Sequence, residues 1–525
     1  MNTSRTACFS RVAAVTALVL CFVTAAQAQT TERVSVDSFG VQGNGDSSRF
    51  SWPAISADGR FVAFGSRADN LVPGDTNGVM DVFVHDRHTG KTERVSVDSL
   101  GVQGNHASGP LFGGGGPSMS PDGRFVAFGS FADNLVPEDT NGVGDVFVHD
   151  RESGVTERVS VTSDGAQANA SSCCFPSISA DGRVVSFVSE ADNLAPNDTN
   201  GGRDVYVHDR MTGVTEFVSV AIDGTAAGAT EAKVSADGRF VAFRSSADNL
   251  VSGDTLKTAN FFVRDRLLGV TERVSMLPDG SQIDPGITVS CCEVSISADG
   301  RFVAFSTFAD GLVPNQGDGL AHVFVYDRIE KITELVSPPE NLSLLSSLSA
   351  NGRFVSFFSR LPGEQDGHIM VHDRVLDTTT RVSVADDGTP GNDDSFRSTI
   401  SADGRWVAFS SAADNLVAGD TNGFQDVFVR GPLPILQAAG LLADLIDLVR
   451  ELNLHAGIAN SLDAKLSAVE KALDDLNAHN DAAAIHALEA FIAEVQAQSG
   501  DKISQADADL LIATAETIIA LIRSA

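Results

Sequence analysis

The chain has 525 residues, a formal net charge of −32, and 42% apolar residues. That is enough apolar material for a sizeable core and more than one domain. The negative charge repels phosphate backbones and anionic membrane surfaces, so nucleic acid is disfavoured as a partner, while cations and basic protein surfaces are favoured.

The first element in chain order reads as a secretory signal. Arg5 and Arg11 form a basic start, residues 12–23 a short apolar run, and Ala26-Gln27-Ala28 a small-residue cleavage site. The run is short for a membrane span. The bulky Leu20 before Cys21 argues against a lipoprotein signal. Residues 1–28 are therefore expected to be a signal peptide, and the protein to be periplasmic, cell-surface or secreted. No later stretch is apolar enough to span a bilayer.

Internal repeats dominate the next four hundred or so residues. A Ser-x-Asp/Asn-Gly-Arg motif occurs seven times, with its Asp or Asn at Asp58, Asp122, Asp181, Asp237, Asp299, Asn351 and Asp403. Each copy is followed by an apolar run such as Phe61-Val62-Ala63-Phe64 and then, in most copies, by a segment like Ala68-Asp69-Asn70-Leu71-Val72-Pro73-Gly74-Asp75-Thr76-Asn77-Gly78. After these come Asp81-Val82-Phe83-Val84-His85-Asp86-Arg87 and Thr92-Glu93-Arg94-Val95-Ser96-Val97. Short β-branched and Phe-rich runs between Gly, Asn and Asp turns read as strands. The Asp-Gly pair suits a tight hairpin between the first and second strands, a and b. Four strands, a to d, repeated seven times predict a seven-bladed β-propeller over residues 31–431.

The ends of the repeat predict closure. The first d-type strand, Thr31 to Val36, precedes the first a strand, and the last repeat stops after Val427-Phe428-Val429. The N-terminal strand is thus free to complete the last blade and leave no open edge. The motif Asp and the Asp of the Asp-Arg pair stand 28 residues apart in the first five repeats, as in Asp58 to Asp86. Most variation lies between strand d and the next strand a. Alternating strand direction puts the a–b and c–d turns on one face and the b–c and d–a loops on the other. Recognition sits preferentially on variable loops held by a rigid scaffold, so the b–c/d–a face is expected to engage a protein partner.

The pattern Ser56 to Phe64, with its six further copies, resembles the TolB-type (WD40-like) propeller repeat. That resemblance implies the fold. It spans periplasmic partner-binding proteins, peptidase propeller domains and polysaccharide lyases, so it implies no single function. The long Asp-Asn-Leu-Val-Pro insertion departs from TolB itself.

After the linker 432–434 the composition shifts to Ala, Leu, Asp and Glu with helical spacing, as in Leu441, Leu445, Leu448 and Leu452. Four helices are predicted, at 435–452, 456–477, 481–498 and 504–523, in a small all-α domain over 435–525. Gly457 to Leu462 and Ala490 to Gly500 resemble the FIMAH domain, a C-terminal helical module of exported bacterial proteins. That resemblance implies attachment or interaction.

The b–c loops hold the candidate metal ligands. Asp-Thr-Asn-Gly-x-x-Asp recurs with Asp75, Asn77 and Asp81; Asp139, Asn141 and Asp145; Asp198, Asn200 and Asp204; and Asp420, Asn422 and Asp426. Alternating oxygen ligands around a Gly-assisted turn resemble part of a Ca²⁺ loop, and an Asx turn entering strand c is the competing reading. Cys173-Cys174 and Cys291-Cys292 precede two strands a. In an oxidising compartment they read as vicinal disulfides, a bridge between loops, or a Cys-rich metal site. His85, His149, His208 and His372 recur one per blade before the Asp-Arg pair, which spreads them too widely for one metal and suits a turn role.

No Gly-x-Ser-x-Gly elbow, His-Glu-x-x-His or phosphate loop occurs. With 2 Trp and 2 Tyr, and only Trp52 in a loop, sugar stacking is poorly supplied. The 31 Phe mostly repeat within strands and read as core. A non-enzymatic, exported binding or scaffold protein is expected. A lyase-like propeller and a calcium-stabilised surface protein are the alternatives.

Overall fold

The computed structural model describes residues 29–433 except 50, 110–114, 173, 284–293, 315, 317–318 and 376. It also describes 442–524, with breaks at 443–444, 447, 450–451, 453, 455, 475–479 and 501. The expected secretory signal, residues 1–28, lies outside the described residues, as do Cys173, Cys291 and Cys292. The chain divides into two compact units, a ring built from Thr31–His372 with Thr379–Arg430 and a helical unit after Gly431.

The ring grows from one local device. Within Ser56-Ala57-Asp58-Gly59-Arg60-Phe61, the Ser56 hydroxyl donates to Asp58 Oδ1 at 2.7 Å, and Asp58 Oδ1 accepts from the Arg60 amide at 3.0 Å. The Phe61 amide then donates to Ser56 Oγ at 2.9 Å. Short polar side chains that satisfy backbone groups in this way close tight turns. Gly59 is required twice over: its φ is +74°, and a Cβ there would stand 2.2 Å from the Trp406 ring of the neighbouring blade.

Each turn joins strand a to strand b. In blade 1 the four strands are Ala54–Ile55, Phe61–Ser66, Asp81–Asp86 and Lys91–Arg94, paired in that order. Phe64 lies opposite Phe83 and Ser66 opposite Asp81. Seven four-stranded antiparallel sheets repeat this plan. Strands b and c are buried on both faces, with Val82, Phe83 and Val84 all fully inaccessible. Their apolar runs are continuous because each blade is packed between two others. The b–c pair also stacks its rings, Phe128 on Phe147 at 6.0 Å and Phe243 on Phe262 at 5.7 Å. Core clusters span blade boundaries. Val62, Phe64 and Phe83 of blade 1 pack with Ala408, Val427 and Val429 of blade 7.

Closure follows the expected offset. Blade 7 comprises Ser395–Ile400, Val407–Ser411, Asp426–Gly431 and, as its outer strand, Thr30–Arg33. The Val34 amide continues the pairing by donating to the Val427 carbonyl at 2.8 Å.

The helical unit contains α1 (Ala456–Asp474), α2 (Asn480–Gln498) and α3 (Gln505–Ser524). Leu462, Leu466, Val469, Leu488, Phe491, Val495, Leu511, Ala515 and Ile518 form its core. Gly500, at φ +78°, ends the α2 connection, and Ser504 Oγ accepts from the Asp507 amide at 3.2 Å as an N-cap. Lys465 of α1 pairs with Glu494 of α2. Three of the four expected helices are described over their length. The expected 435–452 helix lies largely outside the described residues; of it, Leu442, Leu445, Ile446, Leu448 and Val449 are described and helical. No described helix is long and apolar enough to cross a membrane.

Candidate functional site

The b–c loops and part of each d–a connection meet on one face and are stitched together. Asn44 Nδ2 donates to Asp69 Oδ1 at 2.6 Å, and the Asn44 amide donates to Asn70 Oδ1 at 2.9 Å. Asn105 with Asp133, Asn169 with Asp192, and Asn392 with Asp414 repeat the first contact. The Ala-Asp-Asn segments of blades 1, 2, 3 and 7 thus bind their loops to the connection arriving from the preceding blade. The expectation that the whole d–a connection lies on this face needs correction. Its first part is a hairpin, Val36 bridged to Gln42, in which Ser38 Oγ accepts from the amide of Thr92 in the outer strand of blade 1. It covers an edge that would otherwise be open.

The twelve candidate metal ligands fall into two arrangements. In blade 1, Asn77 Oδ1 accepts from the Val79 amide at 3.0 Å, which is an Asx turn, and Asn77 Nδ2 donates to Asp81 Oδ2 at 3.0 Å. Ser96 Oγ donates to Asp81 Oδ1 at 2.5 Å. Between the carboxylates stands a cation from strand d: Arg94 Nη1 lies 3.3 Å from Asp75 and 3.5 Å from Asp81, and its Nη2 donates to the Gly74 carbonyl at 3.5 Å. Blade 2 has the same arrangement with Arg158, Asp139 and Asp145, and Asn141 bonded to Asp145. Blade 7 has it with Arg33, Asp420 and Asp426, and Asn422 bonded to Asp426. Burial pushes Asp75, Asp139, Asp145 and Asp420 above the usual carboxylate range, and Asp426 to about 6.

Blade 3 differs. Phe217 occupies the arginine position, and Tyr206 replaces the phenylalanine found in strand c of blades 1 and 2. Tyr206 donates its hydroxyl to Asp198 Oδ2. Asn200 Nδ2, Ser219 Oγ and the Gly228 amide all donate to Asp204 Oδ1. Among the described residues no three His, Cys, Asp or Glu side chains converge as a metal-holding group.

At the axis, the seven inner strands enclose a cavity of about 180 Å³. The ring position four residues before the motif Asp carries Ala54, Ser118, Ser177, Lys233, Ser295, Ser347 and Thr399. Most hydroxyls here join neighbouring blades. Ser118 Oγ accepts from the Ile178 amide, Ser177 Oγ from Val234 and Ser295 Oγ from Leu348, at 3.1–3.2 Å. Lys233 is the only charged side chain among the described residues lining the cavity. Two residues nearer the loop face, Phe175, Leu345 and Arg397 hold left-handed backbone, with φ of 50°, 61° and 50°. The inner strands of blades 3, 6 and 7 bulge there. Bulges re-aim side chains and concentrate near functional sites. Arg397 stacks over Trp52 at 4.8 Å and donates to the Arg49 carbonyl at 2.5 Å. Gly116 permits this mouth, since a Cβ there would lie 2.1 Å from the Trp52 carbonyl oxygen. Cys174 begins the bulged strand of blade 3 and is half-buried.

The opposite face is structural. His85, His149, His208 and His372 each bond through Nδ1 to a threonine of strand d at 2.8–3.0 Å. Arg60 makes a two-point pair with Asp86 within its blade. The arginine of the Asp-Arg pair ties neighbouring blades together. Arg151 crosses to Glu93 of blade 1 at 2.7 Å, donates to the Gly123 carbonyl and lies 4.3 Å from the Phe61 ring centroid. Arg87, Arg210, Arg266 and Arg328 repeat the crossing. The glutamate of strand d, present in six of the seven copies, was its sequence signal.

The helical unit has a match of its own. Residues 438–520 match the FIMAH domain. In this FIMAH domain the matched span contains α1 and α2 and most of α3. No curated protein matches the chain. Among solved structures, the ring is similar to TolB from Acinetobacter baumannii at 16% identity, covering 67% of this chain and 59% of that one, with a TM-score of 0.33. It is similar to an oligogalacturonate lyase from Vibrio parahaemolyticus at 13% identity, covering 77% and 97%, with a TM-score of 0.47. It is also similar to a putative TolB from Agrobacterium tumefaciens at 14% identity, covering 65% and 94%, with a TM-score of 0.36.

Proposed function

We propose that the protein is an exported, non-enzymatic binding or scaffold module. The loop face of its propeller engages a protein partner, and its FIMAH domain serves attachment. The observation that carries this reading is the channel mouth. Three of the seven inner strands hold non-glycine residues in left-handed backbone there, and the mouth presents the Trp52–Arg397 stack. Backbone strain of this kind costs about 1–3 kcal/mol per residue and persists where surroundings enforce it. A tryptophan stacked with an arginine is a typical interface anchor. The b–c loops carry the exposed carboxylates Asp69, Asp133, Asp192 and Asp414, which suits a partner segment with basic residues.

Photo-crosslinking tests the reading. A crosslinking residue at Phe424, 41% exposed in a loop-face turn, is compared with one at Met211, 78% exposed in a c–d turn. A discrete adduct in the host envelope from position 424 alone, lost on Trp52→Ala, is the expected result. An adduct from position 211 alone, or one indifferent to Trp52→Ala, refutes it.

A further inference from the structure

Blades 1, 2, 3 and 7 carry the same loop, but blade 3 lacks the cation that the other three contain. In blades 1, 2 and 7 a guanidinium stands between the two loop aspartates at 3.0–3.5 Å. In blade 1 Gln103 adds a second donor, 2.9 Å from Asp75. In blade 3 both donors are replaced by apolar residues, Phe217 for the arginine and Ala226 for the glutamine. The two acids are nevertheless kept. Asp204 is fully buried, and its Oδ2 has no hydrogen-bond partner among the described residues. Asp198 Oδ1 is likewise buried without one. Buried carboxylate oxygens are costly unless paired, protonated or bound to a metal.

We propose that blade 3 holds a hard divalent cation of calcium size where its sister blades hold arginine. Asp198 Oδ1 and Asp204 Oδ2 supply two ligands. The backbone carbonyl of Asn197, the counterpart of the Gly74 carbonyl that accepts from Arg94, supplies a third. Water completes the shell that calcium requires. The pair of carboxylates carries two negative charges with no cationic side chain between them, which a divalent ion neutralises. Tyr206 keeps Asp198 in place through Oδ2 and leaves Oδ1 for the metal. With few protein ligands the site belongs with the weak extracellular class, whose Kd is on the order of 10⁻⁴–10⁻³ M. The three arginine-filled loops are expected to take no calcium.

Calorimetric titration of the metal-stripped mature protein with Ca²⁺ at pH 7.5, alongside thermal melting, decides the matter. The expected result is one site per chain and a saturating rise in melting temperature of about 2–4 °C. Both disappear in Asp204→Asn and in the double variant Tyr206→Phe/Phe217→Arg, which rebuilds the arrangement of blade 1. The double variant melts above the stripped wild type and keeps the fold, so loss of binding there is not loss of structure. Asp75→Asn in blade 1 leaves the calcium response intact. The proposal fails if the stripped protein shows no calcium response. It also fails if the response survives in the double variant, or if Asp75→Asn abolishes it.

Discussion

At the residue scale, one backbone device and one charge pattern decide most of what the ring does. Gly59 sits at a turn where φ is positive and a neighbouring tryptophan fills the place of a side chain. Gly59→Ala is expected to destabilise the ring by about 2–4 kcal/mol, combining left-handed strain with overpacking. A lowered urea midpoint at unchanged slope would report it. Asp204 poses the opposite problem. Burial, with Asp198 beside it, pushes its carboxyl up to about 6. A carboxyl raised in the folded state favours folding below its unfolded pKa, near 3.9, and that contribution is lost as pH rises through about 6. In EDTA, wild-type stability should therefore fall between about pH 4 and 6.5 by on the order of 2 kcal/mol more than that of Asp204→Asn. Parallel pH–stability curves for the two proteins would show the carboxyl to be ordinary. Asp86 behaves with the other sign. The Arg60 guanidinium holds it well below the usual range, so its contribution is present above pH 4 and lost in strong acid.

At the element scale the blade is the unit, and the contacts between blades explain what was and was not legible in the sequence. The Ser-x-Asp-Gly-Arg turn is closed by residues within five positions of one another, so its meaning was readable directly. The Asx turn at Asn77 was readable for the same reason. Arg151 and Glu93 are 58 residues apart, and nothing local to either announces their pairing. It follows only from the equal spacing of the repeats. The Arg94 guanidinium between Asp75 and Asp81 was hidden in the same way, because its meaning depends on strand d folding back beside strand c. A chain of loop oxygens therefore read as a metal site where a side-chain cation already stands. Arg151→Ala removes a charge-assisted bond, a carbonyl bond and a ring contact at the boundary of blades 1 and 2. It is expected to cost about 1–3 kcal/mol, discounted for the partial exposure of Glu93. Glu93→Gln should cost less than Arg151→Ala when the two are compared by denaturant unfolding, because its amide oxygen still accepts from Arg151.

At the scale of the whole molecule, the ring is held shut by four residues from the other end of the chain. Thr30–Arg33 covers the outer edge of Asp426–Gly431, and Arg33 also neutralises Asp420 and Asp426. Removing residues 29–35 strips blade 7 of its outer strand and its internal cation together. The truncated protein is expected to expose a strand edge and self-associate, which size-exclusion chromatography would show as growth beyond monomer. A monomeric truncated ring melting like the full chain would show the closing strand to be dispensable. Placement of the same closure in time has a further consequence. Ser35 bonds to Asp426 across 391 positions, so the closing strand finds its partner only when the rest of the ring is present. Contacts this distant in sequence are slow to form. Until that strand pairs, blade 7 keeps an open outer edge, so closure of the ring is expected to be a late event in folding.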